Sequence, residues 1–144
     1  MYTMKILRLF AAATLLVAAG TIAAASPKVI AHRGYWKTDG SAQNSIRSIV
    51  KADSIHCYAS EFDVWMTADS VLVVNHDPEI NGVHIESSPA SRVLAERLAN
   101  GEHVPTLESY LATASKLPSR IVCEMKRHDS RSHEKAAVKA ILAM

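Results

Sequence analysis

The sequence predicts an α/β fold built on a largely parallel sheet. Three observations carry that reading. Short apolar runs alternate with segments whose apolar residues recur at helical spacing. The helical segments fall between the strand-like ones, which is how parallel strands are connected. Four of the apolar runs carry or end in ionisable groups, and α/β sheets present their sites at strand ends.

The elements follow in order. Residues 28–32 (KVIAH) form a short apolar run, read as a buried strand. Asp39, Gly40 and Ser41 are turn residues, after which Ile46, Ile49 and Val50 mark a helix over residues 43–54. Residues 58–64 are strand-like, and residues 67–70 make a turn into a further strand at 71–74. That turn is short for a parallel crossover, so this pairing is left open. Residues 78–101 are mixed, with a turn at Gly82 and a helix expected around 91–99. Pro105 opens another helix, with Thr106 as its cap and Leu107, Tyr110, Leu111 and Ala114 on one face. Residues 120–125 are a strand, and an amphipathic helix begins at Ser132.

Composition bounds the function classes. With 144 residues, 49% hydrophobic and 21% charged, the chain is ordinary globular material for one domain, which excludes a disordered, collagenous or coiled-coil protein. Sixteen Lys and Arg against fourteen Asp and Glu give a formal charge of +2. Lys5 and Arg8 lie in the first 25 residues, which hold no acid, so the remainder balances at fourteen each. A neutral domain argues against non-specific nucleic-acid binding, and no nucleic-acid partner is expected.

The same 25 residues read as a signal peptide. Lys5 and Arg8 are the positive region, Leu9 to Ala19 is the apolar run, and Ala23, Ala24 and Ala25 precede Ser26 as a small-residue cleavage site. The run is short for a membrane span and is broken by Gly20. Residues 26–144 are then expected as an exported domain, periplasmic or extracellular, with no stable membrane span. Export permits disulfides, but Cys57 and Cys123 show neither a paired nor a metal-binding spacing and are expected as buried thiols.

Chemistry concentrates at the strand ends. Glu61 and Asp63 are two apart and share one strand face, and Glu124 with Lys126 repeats that spacing on another strand. Adjacent carboxylates repel unless a cation lies between them. Three carboxylates without a soft ligand suit a hard divalent cation, Mg2+ or Ca2+. His32 and His76 follow two strands and make an acid/base pair near neutral pH. Arg33 offers a bidentate fork, and Lys126 a point charge, to one anion. Two imidazoles, two cations and a metal point to a phosphoester, whereas a carbohydrate hydrolase would need only its carboxylate pair. His56, His84, His103 and His133 are read as loop or helix-surface residues, and His128, just past the fourth strand, as within reach of the rim but not counted in the site. Trp36 and Trp65 are read as either pocket walls or packing.

These residues form a set that resembles the glycerophosphodiester phosphodiesterases, relatives of phosphatidylinositol-specific phospholipase C. The matching pieces are Ala31-His32-Arg33-Gly34, Gln43-Asn44-Ser45, Glu61-Phe62-Asp63-Val64, Thr67-Ala68-Asp69, Val73-Val74-Asn75-His76-Asp77, Val104-Pro105-Thr106-Leu107-Glu108 and Cys123-Glu124-Met125-Lys126. The resemblance implies a TIM-type (β/α) barrel with a small insertion after the third strand, at residues 78–101. It implies a divalent metal on Glu61, Asp63 and Glu124, catalysis by His32 and His76, and phosphate binding by Arg33 and Lys126. Asn44 would support the site, and glycerol 3-phosphate and an alcohol would be the products. The family often has Pro-Glu-Asn-Thr where this chain has Ala42-Gln43-Asn44-Ser45. A full barrel takes about 250 residues, so the expectation is its N-terminal half, truncated at the C-terminus. The alternatives are a non-catalytic fragment that self-associates through open barrel edges, or a related phospholipid-cleaving phosphodiesterase.

Overall fold

A computed structural model describes residues 26–144, and the expected signal peptide at residues 1–25 lies outside the described residues. The elements run β1 (Ile30–Ala31), α1 (Ile46–Ser54), β2 (Ala59–Met66), β3 (Leu72–Val74), β4 (Glu79–Ile80), β5 (Val83–His84), α2 (Ala90–Val93), α3 (Leu107–Ala114), β6 (Arg120–Met125) and α4 (Arg131–Ile141).

Every residue of β2 is buried, and the strand sorts its side chains by period two. Phe62, Val64 and Met66 enter a core with Ile49 of α1, Leu107, Tyr110 and Ala114 of α3, and Ala137 of α4. Glu61, Asp63 and Trp65 take the opposite face. Three helices start on side-chain caps. Ser45 accepts from Ser48 N–H at 3.0 Å, Thr106 from Ser109 N–H at 3.1 Å, and Ser130 from His133 N–H at 3.2 Å.

The sheet centres on β2. One of its edges pairs in parallel with β6 from Ala59↔Arg120 to Val64↔Met125. The other edge is shared. β1 pairs in parallel with Ala59 and Ser60, and β3 pairs antiparallel with Val64, Trp65 and Met66. The short 67–70 turn is therefore a hairpin. Because β1 and β3 run toward each other, both C-terminal ends point into the gap left opposite residues 61–63. This settles the pairing left open in the sequence: β3 is the one antiparallel neighbour of β2 among the described residues. His76 reaches the site because its strand returns from above.

The insertion at 78–101 holds the β4–β5 hairpin, and its Val83, Ile85, Val93 and Leu98 pack with Ala42, Trp65, Val73 and Val104 into a second core. The helix expected over 91–99 shrinks to the single turn of α2, because Leu98 N–H is taken by the Glu102 carbonyl at 2.8 Å in a tight loop. The first strand is not buried: Val29 is 63% and Ile30 47% exposed, since β1 has β2 as its neighbour along one edge alone. The expectation of buried thiols fails in the same way. Cys123 is exposed on the edge strand β6, and Cys57 is half-buried and free. No helix among the described residues is long and apolar enough to cross a membrane.

Gly34 joins β1 to the site at φ +78°. A Cβ there would lie 2.6 Å from Ser48 Cβ and 2.8 Å from the Ser48 carbonyl carbon. Left-handed strain and overpacking add at this position. Gly34→Ala is expected to destabilise the chain by about 2–4 kcal/mol, read as a lowered denaturant midpoint, and an unchanged midpoint would contradict this packing.

Candidate active site

The gap beside β2 collects all eight residues singled out in the sequence as site candidates. Glu61, Asp63 and Glu124 place carboxylate oxygens within 4.8 Å of one another. The register explains this, since Asp63 on β2 pairs with Glu124 on β6 and Glu61 is two residues earlier on the same face. Glu61 and Asp63 are buried, and Glu124 is exposed. Lys126 Nζ donates to Asp63 Oδ1 at 3.1 Å and to Glu124 Oε1 at 2.8 Å. Burial works against the Lys126 charge, but the bonds to Glu124 and Asp63 outweigh it and hold its pKa above the usual value.

Asp63 has no exposed surface. Asn44 Nδ2 donates to its Oδ2 at 2.8 Å, and Asn44 Oδ1 accepts from Asp63 N–H at 3.2 Å. Asn44 is itself fully buried at φ +60°, where its own N–H donates to the Arg33 carbonyl at 3.1 Å. Arg33 is also left-handed, at φ +60°, which turns its N–H onto Glu61 Oε2 at 2.8 Å. Two strained residues thus aim backbone groups into the site. Burial raises the Glu61 pKa above 4.5, and the Asp63 and Glu124 charges add to this, while the Arg33 N–H bond and His32 oppose it.

The donor set fits a hard divalent cation. All three candidates offer oxygen, Glu61 Oε1 is buried with no hydrogen-bond partner among the described residues, and one cation, the Lys126 ammonium, already bridges Asp63 and Glu124.

The two histidines differ. His76 is braced: Nδ1 is 2.8 Å from Asp77 Oδ1, and Nε2 is 2.7 Å from Arg33 Nη2. An arginine nitrogen only donates and a carboxylate only accepts, so neutral His76 carries its proton on Nδ1 and presents a lone pair at Nε2. His32 is loosely held, 66% exposed, with Nε2 3.9 Å from Glu61 Oε2. Arg33 Nη1 donates to Gln43 Oε1 at 2.8 Å, so the Gln at this position keeps a neutral acceptor for the guanidinium. Trp65 is packing, with Nε1 donating to the His76 carbonyl at 3.2 Å. Trp36 lines a cleft of about 480 Å³ together with Gln43, Asn75, Asp77, Glu79 and Arg97.

Sequence reasoning missed a second cluster. Glu86, His128 and His133 also bring ligand atoms within 4.8 Å of one another. Glu86 and His128 are buried, and His133 Nδ1 lies 2.9 Å from Glu86 Oε1. His133 is thus not a plain helix-surface residue, because Glu86 of the insertion folds over it. By composition the trio resembles a metal site. Its hydrogen bonds argue otherwise, for both ring nitrogens of His128 are used: Nε2 accepts from Met66 N–H at 3.1 Å, and Nδ1 donates to the Lys126 carbonyl at 2.8 Å. No local signal gives this, since the partners are up to 62 residues apart.

Comparison with known proteins bears on this site. A family model described as the glycerophosphoryl diester phosphodiesterase family matches residues 32–144. A solved glycerophosphodiester phosphodiesterase from Parabacteroides distasonis is 52% identical, with a TM-score of 0.79 over 81% of this chain and 49% of that one. An Oleispira antarctica phosphodiesterase, solved in complex with the product sn-glycerol-3-phosphate, is 25% identical, with a TM-score of 0.66 over 82% of this chain and 52% of that one. A Thermotoga maritima glycerophosphodiester phosphodiesterase, at 23% identity and TM-score 0.63, covers 82% of this chain and 49% of that one and shares the fold. The chain therefore spans about half the length of the solved structures it matches. No match is found among curated proteins.

The raised pKa of Glu61 has a sign that can be checked. A carboxylate whose folded pKa lies above its unfolded value stabilises below the unfolded pKa, and that contribution is lost as pH rises through the folded one. In chelator, Glu61→Gln is expected to melt above wild type at pH 7, with the gap closing toward pH 4. A variant less stable than wild type at pH 7 would contradict the burial argument.

Proposed function

The chain belongs to the glycerophosphoryl diester phosphodiesterase family, and on that premise we propose that this site serves the hydrolysis of a glycerophosphodiester to glycerol 3-phosphate and an alcohol. Its scaffold is part of a TIM-type (β/α) barrel. The observation that carries the reading is the convergence, in one gap beside β2, of three carboxylates, two imidazoles and two cations. The product named for the Oleispira antarctica protein supports the same chemistry.

Glu61, Asp63 and Glu124 would hold a divalent cation, Mg2+ or Ca2+, which when bound supplies Lewis acidity toward phosphoryl oxygen. Arg33 and Lys126 bind the phosphate, Arg33 through its fork and Lys126 through its point charge. Asn44 keeps Asp63 in register for both. His76 is poised as the base: Asp77 fixes its Nδ1 proton, and Nε2, once Arg33 turns from it to the phosphate, takes a proton from the attacking oxygen, either water directly or the neighbouring glycerol hydroxyl, whose cyclic phosphodiester water then opens. His32, exposed and loosely held beside Glu61, then delivers a proton to the leaving alcohol. The cleft lined by Trp36 and Asp77 offers room for that alcohol. We further infer export of the domain, on the strength of Lys5, Arg8 and the apolar run that follows them.

A second reading is self-association along the open edges, supported by the exposure of Ile30, Ile121 and Val122 on β1 and β6. Light scattering is expected to give a multiple of the chain mass at micromolar concentration, and a monomer at all concentrations would remove this reading.

The test of the main reading is hydrolysis of glycerophosphocholine. His76→Ala is expected to lower kcat by about 100-fold or more. Chelator should abolish turnover and added Mg2+ or Ca2+ restore it. Turnover unaffected by both chelator and Glu61→Ala would sink the metal role.

A further inference from the structure

In the parallel β2–β6 ladder, Val64 pairs with Met125, and the Val64 carbonyl accepts from Lys126 N–H at 3.0 Å. The next rung of a regular parallel ladder would run from Met66 N–H to the Lys126 carbonyl. That rung is interrupted by an imidazole. Met66 N–H donates to His128 Nε2 at 3.1 Å, and His128 Nδ1 donates to the Lys126 carbonyl at 2.8 Å. A side chain has been spliced into a backbone ladder where the two strands part. We propose that His128 is a positioning residue for Lys126, holding the phosphate-binding ammonium at its distance from β2; the proposal rests on the phosphate role given to Lys126 above.

The surroundings fix the imidazole itself. His128 is 4% exposed. Trp65 lies against one side with ring centroids 5.4 Å apart, and His133 meets it edge-on at 5.0 Å. Glu86 of the insertion accepts from Asp129 N–H through both carboxylate oxygens, at 3.0 and 3.3 Å, and pairs with His133. The loop after β6 is thus tied to β2 by His128 and to the insertion by Glu86. Lys126 is clamped at both its N–H and its C=O. Its backbone is thereby set where the ammonium reaches both Asp63 and Glu124.

A double-mutant cycle tests this, read as the affinity of the chain for glycerol 3-phosphate by calorimetry, with circular dichroism confirming the fold. The two bonds can be separated, because an Asn amide nitrogen overlays His Nδ1 whereas a Gln amide overlays Nε2. Lys126→Ala is expected to weaken binding about tenfold or more. His128→Gln should weaken it severalfold, and His128→Asn should recover most of that loss. The double variant Lys126→Ala with His128→Gln should bind no worse than Lys126→Ala alone. Losses that multiply would overturn the proposal while leaving the phosphate role intact, as would unchanged affinity in His128→Gln. Unchanged affinity in Lys126→Ala would instead remove the phosphate role and the proposal with it. If His128→Gln does not fold, nitrogen-15 shifts of His128 in the unmutated chain decide: Nδ1 protonated with Nε2 bare supports the bridge, and the opposite tautomer overturns it.

Discussion

Asp63 is a carboxylate with no exposed surface, set in the middle of a strand whose other face is the main core. Burying such a group without partners costs several kcal/mol, and removing one partner from a buried pair costs about 3–5 kcal/mol. The neighbouring structure answers that demand. Asn44 brings an amide from the start of α1, Lys126 an ammonium from the end of β6, and Arg33 a guanidinium nitrogen at 3.9 Å from the end of β1. Three separate segments are pinned to one side chain. The positions of the site follow from that pinning as much as from the sheet.

The period-two sorting along β2 separates two tasks that would otherwise compete. Phe62, Val64 and Met66 anchor three helices, and Phe62 stacks on Tyr110 with centroids 4.6 Å apart. Glu61 and Asp63 face away from that core. The insertion then seals the upper end, where Trp65 joins Val73 and Val83 in the second core. Trp65 also bonds the His76 carbonyl, so the packing of the insertion and the placement of a proposed catalytic group share one indole.

Much of this was legible in the chain. The spacing of Glu61 and Asp63, the cap at Thr106 and the clustering of His32, Arg33 and His76 after strands are local, and local patterns survive folding. What was not legible depends on distant partners. The antiparallel direction of β3 hangs on the five-residue link 67–71, and the direction decides where His76 arrives. The helix expected around 91–99 is cut to one turn, because a loop bond from Leu98 to Glu102 ends it early. Cys123 sits in an apolar run that suggested burial, but its exposure is a property of the edge it occupies. The place of His128 after the last strand was visible but its task was not, because that lies in Met66 and Lys126, which only the folded sheet brings to it.

The conformation of Asn44 restricts which amino acids can stand there. At φ +60° a β-branched side chain is strained, and Gly, Asn and Asp take the angle most readily, although Arg33 holds it too. Gly has no atoms to offer Asp63. Asp can accept the Asp63 N–H but cannot, as a carboxylate, donate to Oδ2, and it would set a second negative charge against the first. Of these three, Asn alone satisfies the backbone, the donor and the acceptor together. Position 44 therefore narrows the choice of residue as tightly as a ligand contact would, although its side chain is buried from solvent.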